Sequence, residues 1–145
     1  MLEMEAAAGA APWIVRWSRE RHERAIVDLD EAHLLVCDGE QPVGFVLLAG
    51  LTNENRSVEL GRIVIEPAGR GLGRAALRLV LDRAFGELGA HRVWLDVKVD
   101  NARARRAYEA VGFVEEGVLR DALLTDGRYE SLAVMSVLAH ERARD

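Results

Sequence analysis

A glycine-rich turn is the first stretch of this sequence that could do chemistry. Three glycines fall within residues 69–73, between an apolar run at 57–66 and a segment with helical periodicity. Glycine lets a backbone come close to a ligand, and the free N–H groups at the start of a helix attract anions. Arg70 and Arg74 add full positive charges. The turn therefore predicts a phosphate or pyrophosphate site, with a tight turn and solvated arginines as the structural alternative.

Two common phosphate-binding motifs compete for this turn. A P-loop needs the pattern G-x-x-x-x-G-K-[ST], and no Lys-Ser or Lys-Thr pair follows the glycines here. Residues 71–76 match the loose G-x-G-x-x-A form of a dinucleotide turn, and Asp96 lies where a ribose-binding acid belongs. The motif sits in mid-chain after a hairpin, however, and no second mononucleotide-binding half follows. An NAD-binding oxidoreductase remains an alternative on this evidence.

Two longer motifs resemble the GNAT superfamily of N-acetyltransferases. The first runs through residues 58–65 (VELGRIVI) and then 69–75 (GRGLGRA), and it is similar to the acyl-CoA-binding motif of that family. The second runs through residues 101–104 (NARA) and then 107–113 (AYEAVGF), and it resembles the family pattern N-x-x-A…Y-x-x-x-G-F. Both motifs fall on the elements that the family requires, so they support each other.

The rest of the chain extends the resemblance and departs from it twice. Residues 119–121 and 126–129 resemble the closing hairpin of members related to ribosomal-protein N-terminal acetyltransferases. Ala68 stands where the family usually has Gln or Arg. The segment 18–32 is shorter than the two helices that usually shape the acceptor site, which predicts an open site or one completed by a partner subunit. We therefore expect a small-molecule or peptide amine as acceptor, and a homodimer is one expectation for the assembly.

The resemblance implies how the chain binds acetyl-CoA as the acyl donor. The strands at 57–66 and 91–99 would run parallel and splay apart, with the pantetheine arm between them. A backbone N–H near Ile63 would polarise the thioester carbonyl, as in an oxyanion hole. Arg106 would lie near the 3′-phosphate, with a solvated helix face as the alternative. The implied acetyl-CoA contacts are Ile63, Val64, Ile65, Gly69, Arg70, Gly71, Leu72, Gly73, Arg74, Asn101, Arg106 and Tyr108.

Two residues are candidates for proton transfer during direct acetylation of an amine. A protonated amine cannot attack, so a base must take its proton, and Glu59 beside the cleft is the candidate. Tyr108 stands where the family keeps its general acid, and a phenol with a pKa of about 10 can donate to the departing thiolate. The structural alternatives are an exposed strand glutamate and a packed aromatic ring. Asn101 either contacts pantetheine or caps its helix. A chain that binds acyl-CoA without catalysis is the second alternative function.

Apolar periodicity predicts the elements that position these residues. Apolar residues between 76 and 88 recur at steps of one, three and four, which indicates a helix ended by Gly89, whereas residues 93–99 alternate like a strand. The result is a single α/β domain over 13–140, with a mixed sheet flanked by helices, after a loose lead at 1–12. The predicted elements are strand 13–17, helix 18–27 capped by Ser18, hairpin 33–51, strand 57–66, helix 72–88, strand 91–99, helix 101–111 and hairpin strands 113–124 and 128–138.

Composition and charge argue against several other classes of protein. The 145 residues carry a formal net charge of -5, which disfavours a general nucleic-acid binder. The four histidines are scattered without metal-ligand spacing, so we predict no metal site. No apolar run approaches the length of about 20 residues that crosses a membrane, and the start does not resemble a signal peptide. We expect a cytoplasmic protein whose single cysteine, Cys37, is buried in the core.

Overall fold

The described part of the chain, residues 18–66 and 71–142 of a computed structural model, alternates helices and strands much as the periodicity predicts. The predicted strand 13–17 and the predicted site residues Gly69 and Arg70 lie outside the described residues. The elements are α1 (Arg19–Val27), β1 (Glu31–Asp38), β2 (Gln41–Ala49), β3 (Ser57–Ile65), α2 (Leu72–Phe85), β4 (Arg92–Lys98), α3 (Ala102–Ala110), β5 (Val114–Thr125), β6 (Arg128–Leu138) and α4 (Ala139–Arg142).

Six strands form one sheet in the order β1-β2-β3-β4-β6-β5, which confirms the predicted mixed sheet. β3 and β4 are parallel and are joined through α2, whereas the other neighbours are antiparallel. The predicted Asp126-Gly127 turn closes the last hairpin, with φ values of 51° and 75°. Two consecutive positive φ angles match the twist of the flanking strands, so this turn fixes the register of β5 on β6.

One face of the sheet packs against α2 and α3 and forms the main core. The apolar side chains of α2 lie at helical spacing and meet alternate residues of the central strands. Burial of each large apolar side chain contributes about 1.5–3 kcal/mol, so this layer holds β3 and β4 against the two helices. The fully buried members with the largest side chains include Leu48, Leu81, Leu95, Met135, Val46, Val93 and Val137.

The short helix α1 lies on the opposite face of the sheet. Its N-cap is Ser18 as predicted, since the Ser18 hydroxyl accepts a hydrogen bond from the Arg21 N–H at 3.2 Å. The His22 ring meets the Phe45 ring edge-on, with centroids 5.8 Å apart. Arg21 also forms an ion pair with Glu31 at 2.8 Å. These contacts place α1 over β1 and β2, while Asp96 of β4 on this face stays exposed.

The end of α2 differs from the predicted boundary. The helix ends at Phe85 with Gly86 as C-cap, not near residue 88. Glycine inside a helix costs roughly 0.5–1 kcal/mol relative to alanine, and the Leu88 N–H bonds back to the Arg83 carbonyl at 3.1 Å across the turn. Gly89 does adopt the left-handed conformation that the prediction assigned to it, with φ 64°.

The expectation for Cys37 is wrong, because its side chain is exposed. Ala32, Leu34 and Val36 of β1 pack against the main core, so Cys37 points to the other face. The β1–β2 register also shifts between Val36 and Cys37, near the end of this outer strand. An apolar run therefore did not distinguish a strand buried on both faces from a strand with one buried face.

Candidate active site

The parallel strands β3 and β4 separate after three residue pairs. The pairs are Ser57 with Arg92, Val58 with Val93 and Glu59 with Trp94. In the neighbouring β2–β3 ladder, Leu47 faces Arg62 and Leu48 faces Leu60, which leaves Gly61 as an extra residue. Such a bulge bends its strand and increases its twist. The predicted splay is thus confirmed, and we call the opening between residues 60–65 of β3 and 95–98 of β4 the split.

The edge of β3 along the split offers backbone groups to a ligand. Ile63, Val64 and Ile65 pair with β2 on their other side, opposite Val46, Phe45 and Gly44. Within the described residues, the β3–β4 ladder does not reach them. An extended chain with amide groups can add to such an edge by main-chain hydrogen bonds, as a further strand would. The geometry fits the pantetheine arm that the sequence motif implies.

The N-terminus of α2 lies just after the same end of β3. Gly71 is its N-cap, with φ 74°, and among the described residues no side chain caps this end and no acidic residue occupies the first turn. The first N–H groups of any helix lack intrahelical acceptors, and the end carries about half a positive charge. Leu72, Gly73 and Arg74 supply this first turn. The arrangement suits a pyrophosphate.

Two carboxylates lie on one face of the sheet at the mouth of the split. Glu59 belongs to the last β3–β4 pair, and Asp96 follows Trp94 by two residues on β4. Burial raises the pKa of Glu59, and the charges of Asp96 and then Glu31 raise it further. Partial burial raises the pKa of Asp96, although its side chain still meets solvent. Both groups therefore ionise at a higher pH than free carboxylates do.

Tyr108 stands on α3, on the face of the sheet opposite to the two carboxylates. Its ring meets Phe113 edge-on with centroids 5.7 Å apart, and it packs against the main core. Burial, followed by the charge of Asp96, raises the pKa of Tyr108 to about 12. Among the described residues, neither the Glu59 carboxylate, the Asp96 carboxylate nor the Tyr108 hydroxyl has a hydrogen-bond partner. The hydrogen-bonding capacity of these three groups is therefore not used within the described part of the chain.

The remaining predicted contacts lie on or near α3. The Asn101 side chain accepts a hydrogen bond from the Ala104 N–H at 3.2 Å, which confirms its capping role and leaves its amide nitrogen for other bonds. Arg106 is exposed. Arg105 donates to the Val99 carbonyl at 3.0 Å and to Glu115 at 2.6 Å, so it joins α3 to β4 and β5.

Sequence reasoning missed Asp96 as a partner of Glu59. It noticed Asp96 only as the acid that a dinucleotide fold would need. Alternation along residues 93–99 did place Asp96 on the polar face of its strand. Its proximity to Glu59 depends on the parallel register of β3 and β4, for which the sequence carries no direct signal.

Two further observations concern metal binding and membrane crossing. No group of three or more His, Cys, Asp or Glu side chains there is arranged to hold a metal ion. No helix in residues 18–66 and 71–142 is long and apolar enough to cross a membrane.

Comparison with known proteins bears on both motifs. The model of the acetyltransferase (GNAT) family matches residues 1–113. A spermidine N(1)-acetyltransferase of Vibrio cholerae is 34% identical over 122 residues, which span 82% of this chain and 70% of that protein. A Bacillus subtilis protein, to which ribosomal N-acetyltransferase activity is provisionally ascribed, is 37% identical over 99 residues. That match spans 68% of this chain and 54% of the Bacillus protein.

Solved structures share the fold over most of the chain. The crystal structure of the Vibrio cholerae spermidine N-acetyltransferase with CoA and spermine has a TM-score of 0.83 and 27% identity. The match covers 98% of this chain and 88% of that one. A dodecameric structure of the same enzyme has a TM-score of 0.75 and 34% identity, covering 84% of this chain and 72% of that one. Because the family model and the split sheet agree, this chain belongs to the GNAT family of acetyltransferases and acetylates an amine with acetyl-CoA as donor.

Proposed function

We propose that this acetyltransferase acetylates a primary amine of a linear polyamine such as spermidine. The observation that carries the proposal is the acidic row beside the split: Glu31 faces Ala49, Ala49 faces Glu59, and Asp96 follows on β4. These carboxylates share the face that a cationic acceptor would approach. The relatives named spermidine acetyltransferases give independent support.

The donor would bind in the split and at the N-terminus of α2. The pantetheine arm would bond to the backbone of residues 63–65, and the pyrophosphate would lie on the N–H groups of residues 69–74. A backbone N–H near Ile63 would stabilise the negative charge that develops on the thioester oxygen. Asn101 would contact the pantetheine arm, and Arg106 would lie near the 3′-phosphate. Holding both substrates in one ternary complex supplies much of the rate enhancement.

Glu59 would act as the base in a single acyl transfer. The amine nitrogen attacks the thioester carbonyl carbon, a C–N bond forms, and the C–S bond breaks to release the CoA thiolate. The proton leaves the amine nitrogen for the Glu59 carboxylate, directly or through a water molecule. The raised pKa of Glu59 supports this role, because a base accepts a proton best when its pKa lies closer to neutral pH.

Tyr108 would stabilise the departing thiolate chiefly as a hydrogen-bond donor. With a pKa of about 12, the phenol keeps its proton throughout the physiological range. A thiol has a pKa of about 8.5, so complete transfer from such a phenol would cost about 5 kcal/mol at 1.36 kcal/mol per pH unit. A hydrogen bond that strengthens as charge develops on sulfur avoids that cost. This assignment refines the general-acid role that the resemblance implies.

Two wider properties belong to the same proposal. We take residues 13–140 as the catalytic domain and infer that copies of the chain associate, since a related enzyme has a dodecameric structure. A cytoplasmic location would give the protein access to acetyl-CoA. It would also keep the exposed thiol of Cys37 reduced.

Thermal shift and acceptor assays would test the proposal. A ligand at 100 times its Kd stabilises the folded state by about 2.7 kcal/mol, so acetyl-CoA and CoA should raise the Tm while NAD and NADP should not. Spermidine should then release free thiol from acetyl-CoA faster than a ribosomal-protein N-terminal peptide does. Preference for the peptide would overturn the polyamine acceptor. Binding of CoA without turnover on any amine would leave only an acyl-CoA-binding module.

A further inference from the structure

We propose that Asp96 is a positioning residue that acts across the split on the carboxylate of Glu59 and sets the pH at which Glu59 accepts the proton of the amine. The inference rests on the proposed function, because it takes Glu59 as the base. Its test includes a measurement on Glu59 itself that needs no acceptor.

The register of the sheet brings the two carboxylates to the same opening. Glu59 pairs with Trp94 in the last pair of the β3–β4 ladder, and Asp96 lies two residues beyond Trp94. Residues two apart on a strand share a face, and they lie roughly 7 Å apart along it. On its other side Asp96 faces Val134 of β6. Beyond the last pair the strands separate. Asp96 is therefore the first residue of β4 past the ladder whose side chain shares the face of Glu59.

Neither carboxylate is neutralised by a neighbour. Among the described residues, Glu59 and Asp96 form no hydrogen bond or ion pair. Like charges at short range disfavour the ionised form of each other. The raised pKa of Glu59 agrees with this geometry, since burial and then the charge of Asp96 are its leading causes.

Other charged groups face the same region, and two of the acids among them, Glu31 and Glu116, are compensated by arginines. Glu31 on β1 is held by Arg21 of α1 at 2.8 Å. Glu116 on β5 is held by Arg92 at 2.9 Å. Asp96, which has no such partner in the described part of the chain, therefore raises the pKa of Glu59 more than the compensated Glu31 does. Among the described residues, the charged and titratable groups on this face of the sheet are Glu31 with Arg21, His22 with His33, Arg62, Arg92 with Glu116, Asp96, and Lys98 with Glu130, while Tyr108 approaches from α3 on the opposite face.

The experiment compares Asp96→Asn with a matched charge control. Glu40→Gln also removes one negative charge, but from the exposed turn between β1 and β2. We would record kcat/KM for spermidine against pH in the wild type, in both variants and in Glu59→Gln. In parallel, the ¹³C chemical shift of the Glu59 carboxyl carbon would be followed against pH in the free protein. Unfolding curves would check that each variant folds.

The expected result follows from the sign of the interaction. Loss of the Asp96 charge makes Glu59 easier to ionise, so in Asp96→Asn the acid limb of kcat/KM and the ¹³C titration of Glu59 both move to lower pH. Tyr108 also ionises more easily without Asp96, so any alkaline limb that it sets moves to lower pH as well. Glu40→Gln should move none of them.

Two results would overturn the inference, and they are separable from failure of the proposed function. An acid limb and a Glu59 titration that stay in place in Asp96→Asn would leave Asp96 a surface acid, even if KM for spermidine rose. If Glu59→Gln keeps wild-type activity, Glu59 is not the base and the inferred role of Asp96 in the reaction falls with it. The ¹³C titration would still show whether the two carboxylates interact.

Discussion

At the scale of single residues, the proposed site works against the stability of the fold. Glu59 has a raised pKa, and its carboxylate has no compensating partner among the described residues. A group whose pKa is higher in the folded than in the unfolded protein favours folding at low pH and opposes it once ionised. Functional sites commonly carry such costs. The same feature therefore makes a prediction about stability as well as activity.

Replacing Glu59 by glutamine should abolish most activity and stabilise the protein. Without the base, kcat should fall about 10²–10⁴-fold. At pH 7 the free energy of unfolding should rise by about 0.5–2 kcal/mol, the usual size of a stabilising substitution. The gain should shrink as pH falls toward the pKa of Glu59, where the wild-type carboxyl is protonated too. Urea unfolding at several pH values would measure it, and a less stable Glu59→Gln variant at pH 7 would contradict the argument.

Tyr108→Phe removes the phenol hydroxyl and keeps the aromatic ring, so it separates the two contributions. The ring contact with Phe113 remains, so the Tm should change little. Loss of one oriented donor to developing negative charge typically costs about 10²–10³-fold in kcat. The KM for acetyl-CoA should stay close to that of the wild type, since the donor acts in the transition state. Steady-state kinetics would check this, and a variant with unaltered kcat would assign Tyr108 to packing alone.

At the scale of elements, adding one charged side chain to the first turn of α2 tests whether this helix end binds the pyrophosphate. A Cβ added at Gly73 would meet no other atom within 4 Å, and the φ of Gly73 is one that any residue can adopt, so a side chain fits there. Aspartate in a first helical turn stabilises a free helix by about 0.3–1 kcal/mol through the helix dipole. The same charge repels a pyrophosphate. Stability without ligand and affinity for CoA should therefore move in opposite directions.

We predict that Gly73→Asp unfolds no more easily than Gly73→Asn yet loses CoA binding. Asparagine is the matched control, since it has nearly the same size without the charge. Isothermal titration with CoA should show at least a tenfold weaker Kd for aspartate than for asparagine, equivalent to about 1.4 kcal/mol. Equal affinities would place the pyrophosphate away from this helix end.

The order of the elements from α1 to β6 was predictable because each has a local signature, whereas the short helix α4 was not predicted and the split was not derivable from local patterns. Caps at Ser18 and Asn101 and the Asp126-Gly127 turn act within a few residues, so sequence reasoning located them. The bulge at Gly61 depends on which strand lies opposite. Gly44 gives a second case: a Cβ there would overlap the Val64 carbonyl oxygen of the neighbouring strand. Only the resemblance to a family implied the splay of the strands.

At the scale of the whole molecule, the last hairpin leaves an apolar surface uncovered. β5 is the outermost strand of the sheet. Val118 and Leu119 are each about half exposed, and Leu124 and Tyr129 are more so. Monomeric proteins usually blunt or cover such edges. This surface is where we expect the association proposed for the chain, because contact with a second copy would remove apolar area from water.

Leu119→Asp should therefore dissociate the assembly without unfolding the subunit. A charge placed in an apolar interface is costly to bury, while the same residue is solvent-exposed in the isolated chain. Leu79→Asp is the matched control, since Leu79 is an exposed leucine on α2, away from the hairpin. Light scattering after gel filtration should give a multiple of the 16.0 kDa chain mass for the wild type and Leu79→Asp, and a smaller species for Leu119→Asp. A monomeric wild type at all concentrations would refute association. A dissociated variant with full kcat would show that each subunit carries a complete acceptor site.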